Sequence, residues 1–182
     1  MANLFKKFDI KKLKGKKPPS NNSFDTDQEI KHIAKIPINK KFIKDKDDVY
    51  GSFKKTAKEN NVEFPSKQVG RLIDDSREVI SKLKMHFNRP RPKVLAKKRG
   101  MKLENIMLKS MDTPSYPSGH STQGILVAKY MCDMYPNKSK QFMKTGKDIS
   151  NSRLSARCHY PSDSKFGEKL GEEMYKHVKN KI

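Results

Sequence analysis

Tryptophan is absent from this 182-residue chain, and cysteine is nearly so, with only Cys132 and Cys158. Two cysteines supply neither a disulfide framework nor a thiolate metal cluster. Long hydrophobic runs are missing too. Hydrophobic residues make up 34% of the chain and the mean hydropathy is -0.92. No apolar stretch approaches the ~18–20 residues that cross a bilayer. The N-terminus carries lysines but lacks the apolar stretch of about 7–15 residues found in a secretory signal. These absences lead to the expectation of a soluble, cytoplasmic protein without a transmembrane segment, of a length that suits one domain. Acidic residues are scarce: 20 Asp and Glu stand against 41 Lys and Arg, for a net charge of +21. Such a chain attracts phosphate-bearing partners, whether substrate, nucleic acid or anionic lipid, although dispersed lysines also simply keep a protein in solution. The charge by itself does not choose among them.

What is present divides into a tail and a helical body. Residues 1–17 hold seven lysines and one aspartate, and Pro18-Pro19-Ser20-Asn21-Asn22-Ser23 follows as a linker. Residues 1–23 therefore read as a basic mobile tail, able to bind anionic surfaces weakly and dispensable for chemistry. Residues 24–46 are ambiguous, with one short apolar stretch, His32 to Ile38, suited to docking on a core. From Asp47 the pattern turns helical, with Asp47 or Asp48 as a cap and an end near Asn60. Pro65-Ser66 opens a longer helix. Its stripe of Val69, Leu72, Ile73, Ser76, Val79, Ile80, Leu83 and Phe87 recurs at about 3.6 residues, and Pro90 and Pro92 end it. Helix-compatible sequence surrounds Leu103 to Leu108, before a Pro/Ser-rich loop. Further helices are expected from near Ser121, over about 139–157, and after Pro161. Hairpin signals and internal repeats are lacking. The expected fold class is all-α, a helical bundle over residues 24–182.

Three stretches carry chemistry. Lys84 to Pro92 fits K-x6-RP, Pro117 to His120 reads PSGH, and Ser152 to Asp163 fits SR-x5-H-x2-SD. Gly119 lets the backbone turn closely around an anion, and a helix starting there aims free N–H groups at it. Ser118 adds a hydroxyl, and His120 at that mouth can carry a proton. Arg153 can grip phosphate oxygens with its planar fork. Pro161 bends the chain so that Asp163 can meet His159, fix its tautomer and leave the other nitrogen as base or nucleophile. Each stretch has a plain structural alternative: a capping turn with a surface histidine, a surface His–Asp pair, a solvated charge run. The first pattern also has two registers, since Lys82 and Arg89-Pro90 satisfy it as well. Lys84 and Arg91 are preferred because Lys84 lies nearer the apolar stripe.

Together the three motifs resemble the type 2 phosphatidic acid phosphatase (PAP2) superfamily, which includes bacterial class A acid phosphatases, lipid phosphate phosphatases and vanadium haloperoxidases. The resemblance runs from about residue 65 to the C-terminus, and Thr113 to Ser121 looks most like the soluble acid phosphatases. It implies a helical bundle of the PAP2/vanadium haloperoxidase type and a phosphatase acting on phosphate monoesters of small molecules or lipids. It also implies roles. Lys84, Arg91, Arg153, Ser118 and the Gly119 amide would bind phosphate oxygens. His159 would attack phosphorus, Asp163 would orient His159, and His120 would serve the leaving group and then water. Neither a metal site nor a cofactor is suggested. Two other functions fit the same residues: vanadate-dependent halide oxidation, and a basic phosphate-recognising protein that binds nucleic acid or membrane.

Overall fold

A computed structural model describes residues 2–182. Among these the regular structure is helical, with no strand. Nine α-helices follow in order: α1 (Lys11–Lys14), α2 (Phe24–Lys35), α3 (Lys40–Asp47), α4 (Val49–Glu59), α5 (Ser66–Phe87), α6 (Pro92–Lys98), α7 (Gly119–Met134), α8 (Ser139–Ser155) and α9 (Pro161–Val178). The expectation of an all-α bundle holds.

The centre is α7, packed against α8, α9, α5 and α4. It buries Ile125, Leu126, Val127, Ala128, Tyr130 and Met131, residues that face every side of the helix. A helix apolar all round belongs inside a bundle, and its polar-faced neighbours wrap it. Glycines set how closely they wrap. A Cβ at Gly146 of α8 would lie 2.8 Å from the Gly124 carbonyl oxygen. A Cβ at Gly167 of α9 would lie 2.6 Å from that of Ser118. Real Cβ atoms do not approach so near, so glycine is what brings α9 against the PSGH turn.

The α5 stripe behaves as its spacing predicts. Val69, Leu72, Ile73, Ser76, Val79, Ile80 and Leu83 are buried, and Phe87 is partly so. Asn88 ends the helix in the left-handed region, at φ 44°, and its N–H caps the Lys84 carbonyl at 2.9 Å. Arg89 and Arg91 each precede a proline, which biases both toward extended backbone. Pro92 then opens α6 at its first turn, where a missing N–H is harmless.

Three parts of the chain differ from the expectation. Residues 24–46 form α2 and α3, capped by the side chains of Ser23 and Asn39. Residues 103–108 are irregular rather than helical. Leu103 packs with Ile30, Ile33, Leu95 and Tyr160, whereas Ile106 and Leu108 pack with Ile43, Ala156 and Cys158. Two separate clusters claim neighbouring side chains, and one helix face could not serve both. The third is the tail, expected to be mobile. It is docked: Leu4, Phe5 and Leu13 are buried in the main core. The Leu4 N–H meets Asp75 at 2.9 Å, and the Tyr116 hydroxyl donates to the Lys16 carbonyl at 2.8 Å. Lys6, Lys7, Lys11, Lys12, Lys16 and Lys17 stay exposed.

Docking changes what truncation does. Burying a large apolar side chain contributes roughly 1.5–3 kcal/mol, so three of them rival the net stability of a domain. Removal of residues 1–20 is expected to lower the denaturant midpoint sharply. An unchanged midpoint would mean that the tail adds nothing to the core.

Candidate active site

A cavity of about 830 Å³ opens where α5, α7 and the 156–160 turn converge. Lys84, Arg91, Gly119, His120 and His159 all line it. Three motifs far apart in sequence thus share one wall. Of the lysines in the pattern's two registers, Lys84 is buried at the cavity, while Lys82 is exposed and paired with Glu78.

His159 is delivered by the end of α8. Arg157 takes a left-handed conformation, φ 54°, which costs a side-chain-bearing residue roughly 1–2 kcal/mol. Around it the Arg157 N–H bonds the Leu154 carbonyl at 2.9 Å and the Cys158 N–H bonds that of Arg153 at 3.2 Å. These are the two bonds of a Schellman closure. The Arg157 guanidinium is anchored on the Ile36 carbonyl at 2.9 Å. The chain reverses there and turns the His159 ring inward.

The ring is held at both nitrogens. Nδ1 lies 3.0 Å from Asp163 Oδ2, and Nε2 lies 2.9 Å from Arg91 Nη1. Asp163 is fully buried. Burial alone would raise its pKa, but the hydrogen bond and charge of His159, the Arg89 charge and the Ser115 hydroxyl bring it down to about 2. It is therefore a carboxylate, and Nδ1 must donate to it. Burial, with the Arg91 and Lys84 charges, lowers the His159 pKa to about 3 against the opposing pull of Asp163. At neutral pH the ring is uncharged. Its proton sits on Nδ1, and the Nε2 lone pair faces Arg91 and the cavity.

Arg91 is almost fully committed. Nε donates to the Thr113 carbonyl at 2.9 Å, Nη1 to that of Cys158 at 2.9 Å, and Nη2 to that of Ser110 at 2.9 Å. Lys84 donates to the Pro114 carbonyl. Burial first, and then the Arg91 charge, lowers the Lys84 pKa to about 7, partly offset by Asp163.

The PSGH turn caps α7. Ser118 is its N-cap, and its hydroxyl oxygen accepts from the Ser121 N–H at 3.3 Å. Gly119 and His120 are the helix's first residues, so their N–H groups have no partner within the helix. His120 Nε2 lies 2.9 Å from the Asp47 carbonyl oxygen and donates to it. Burial, and the Arg153 charge after it, hold its pKa below the usual imidazole range.

Ser118, Asp163 and Arg153 do not line the cavity; they lie behind its wall. For Ser118 this departs from the expected phosphate contact, and for Arg153 too. Its Nη1 is 2.7 Å from Asp47 Oδ1, and Asp47 does line the cavity, between Arg153 and His120. In the sequence Asp47 offers only a helix cap. Ser115, which donates to Asp163, was unremarkable within a Pro/Ser loop. Arg89, in the sequence only an alternative to Arg91, is buried and pairs with Asp163 at 2.7 Å. Glu29 carried no sequence signal, yet it pairs with Arg89 at 2.9 Å. Among the described residues, no group of three or more His, Cys, Asp or Glu side chains is placed to hold a metal ion. Nor is any helix among them long and apolar enough to cross a membrane.

A family model described as the PAP2 superfamily matches residues 76–172, just over half of the chain and the span that holds all three motifs. A protein described as a non-specific acid phosphatase, from Salmonella typhimurium (strain LT2), is 30% identical over 90 residues. That alignment takes in 48% of this chain and 35% of the relative, so the chain spans about a third of the length of the curated relative it matches.

Proposed function

The chain belongs to the PAP2 superfamily, and from that membership and the geometry of the cavity we propose that it is a phosphatase hydrolysing phosphate monoesters through a phosphohistidine, without a metal. One observation carries this reading. His159 presents an unprotonated Nε2 to a cavity bordered by Arg91, Lys84 and the first N–H groups of α7. A neutral, oriented imidazole beside that many donors suits attack on a phosphorus atom.

The steps follow from the residues. Phosphate oxygens take the donors of Arg91, Lys84 and the Gly119 amide, which frees Nε2 from Arg91. Nε2 forms a bond to phosphorus as the ester oxygen leaves. Asp163 balances the positive charge that develops on the ring. The negative charge of a bound phosphate ester favours protonated His120; that imidazolium gives a proton to the leaving oxygen, and the neutral ring then takes one from the water that hydrolyses the phosphohistidine. Arg153 acts through Asp47 or, once that pair opens, directly on phosphate. Phosphoryl transfer needs positioning and charge stabilisation above all. The cavity is far larger than a phosphate, which leaves room for a sizeable leaving group on a small-molecule or lipid ester. The exposed lysines of residues 6–17 suit a weak contact with anionic surfaces.

The test is hydrolysis of nitrophenyl phosphate. Turnover is expected to survive EDTA and to be inhibited by vanadate, which mimics five-coordinate phosphorus. Loss on chelation, restored by a divalent ion, would overturn the metal-free assignment. Activity that required vanadate and peroxide would mark a haloperoxidase instead.

A pH dependence follows from Lys84. With a pKa of about 7, it is protonated below that pH and loses its charge above it. The kcat/KM is expected to fall about tenfold per pH unit on the alkaline side. Bound phosphate favours the charged amine, so kcat should decline later than kcat/KM. In Lys84→Arg the cation persists, and the alkaline limb is expected to move upward. A limb unmoved in that variant would belong to another group.

A further inference from the structure

We propose that Glu29 and Arg89 are positioning residues for the reaction: a buried Glu29–Arg89–Asp163 chain, reaching in from α2, sets how strongly Asp163 holds His159. This rests on the reading of His159 as the attacking group.

The geometry is closed at every link. The Arg89 side chain is 0% exposed. Its Nη1 lies 2.7 Å from Asp163 Oδ1 and 2.7 Å from the Ser162 hydroxyl. Nη2 lies 2.9 Å from Glu29 Oε2 and 3.4 Å from the Thr26 hydroxyl. The guanidinium carbon sits 3.7 Å from the centre of the Tyr160 ring, so the plane cannot drift. Glu29 grips the start of α9 as well. Its Oε1 accepts from the Ser162 N–H at 2.6 Å, and its Oε2 from the Ser162 hydroxyl at 2.9 Å. Ser162 is the second residue of that helix, and Pro161 before it has no N–H to cap. A carboxylate from α2 thus fills the anion position at the α9 N-terminus.

The consequence is electrostatic as well as steric. Asp163 divides its two oxygens. Oδ1 serves Arg89, while Oδ2 serves His159 Nδ1, the Ser115 hydroxyl and the Tyr160 N–H. The more positive charge Arg89 directs at Oδ1, the less negative charge remains for the imidazole. Glu29 draws Arg89 the other way. The charges facing His159 are Asp163 from α9, Arg91 from the 88–91 bridge and Lys84 from α5. Arg89 and Glu29 reach it through Asp163 alone. Neither lines the cavity, so neither touches substrate. Glu29 also lies outside the span that matches the family model.

The opposing pulls give the test a sign. In Glu29→Gln the carboxamide keeps an oxygen for the Ser162 amide but no longer offsets Arg89. Asp163 is then drawn to Arg89, and the His159 Nδ1 proton resonance is expected to move upfield. In Arg89→Met, Asp163 is released to His159, and the same resonance is expected to move downfield. With nitrophenyl phosphate, both variants are expected to lose roughly tenfold in kcat with KM within about twofold of the parent, the mark of a misplaced reacting group behind an intact cavity. A structural cap alone would shift the resonance the same way in both variants, or not at all, and either result overturns the proposal. Should Arg89→Met fail to fold, the upfield shift in Glu29→Gln decides it alone. The resonance is read without substrate, so it stands even if the protein hydrolyses no phosphate ester, a result that would count against the phosphatase reading instead.

Discussion

A His159→Ala protein is expected to show no turnover, a loss on the order of 10⁵-fold or more, and no labelling by a radioactive phosphate donor. His120→Ala is expected to fail differently. With nitrophenyl phosphate the leaving group departs without help, so His159 can still be phosphorylated. The second step then stalls, because the attacking water has lost its base. The expected product is one nitrophenolate per protein, with a phosphoprotein that is labile to acid and stable to base. The positions of the two rings support this split. His159 is locked between Asp163 and Arg91 at the 156–160 turn, whereas His120 opens α7 and leans on Asp47. Label persisting in His159→Ala would move the nucleophile elsewhere and leave the oriented Nε2 without a role.

Asp163→Asn is expected to cost nearly as much. Four donors converge on this carboxylate: Arg89 Nη1, the Ser115 hydroxyl, His159 Nδ1 and the Tyr160 N–H. An asparagine is nearly the same size but brings a donor where only acceptors are wanted. If its NH₂ faces His159, Nδ1 must become the acceptor. The imidazole proton then moves to Nε2, and the lone pair leaves the cavity. If the NH₂ faces Arg89 instead, two donors meet; in either orientation the buried Arg89 cation loses half of its charge compensation. The first outcome lowers kcat by roughly 10³–10⁴-fold, as expected for a wrong tautomer. The lost charge compensation lowers stability by about 3–5 kcal/mol, the scale for breaking a buried ion pair. Kinetics and denaturant unfolding on the same variant separate them. A variant with unchanged kcat and unchanged midpoint would show that Asp163 neither orients His159 nor balances Arg89.

Much of this was legible in the sequence, for physical reasons. The bundle was visible because its helices are long and periodic: Val69, Leu72, Ile73, Val79, Ile80 and Leu83 can lie on one face only if the backbone is helical. The motifs were visible because anion chemistry draws on few residue types at fixed local spacing. Even the burial of Lys84 rather than Lys82 followed from angular position, since Lys84 extends the buried row of Ile80 by one turn. The docked tail was not legible. Leu4, Phe5 and Leu13 are scattered among lysines, and only the surface left by α5 and α9 gives them somewhere to go. The helices over residues 24–46 were hidden for a similar reason, because a few apolar residues in a polar segment become a face only when a partner surface exists.

The sequence by itself determined which groups are available for the proposed chemistry. Helical periodicity, prolines before and at the start of α6, the PSGH turn and the His159-to-Asp163 spacing are local properties, and local sterics fix them. The tertiary structure decided what each group is connected to. That Arg153 is engaged by Asp47, that Arg89 balances Asp163, and that Glu29 reaches Arg89 from α2 are contacts between residues 60 or more positions apart. No periodicity encodes such pairings. They arise because a buried charge must find an opposite charge once water is excluded, and which one it finds depends on where the packed helices bring their ends.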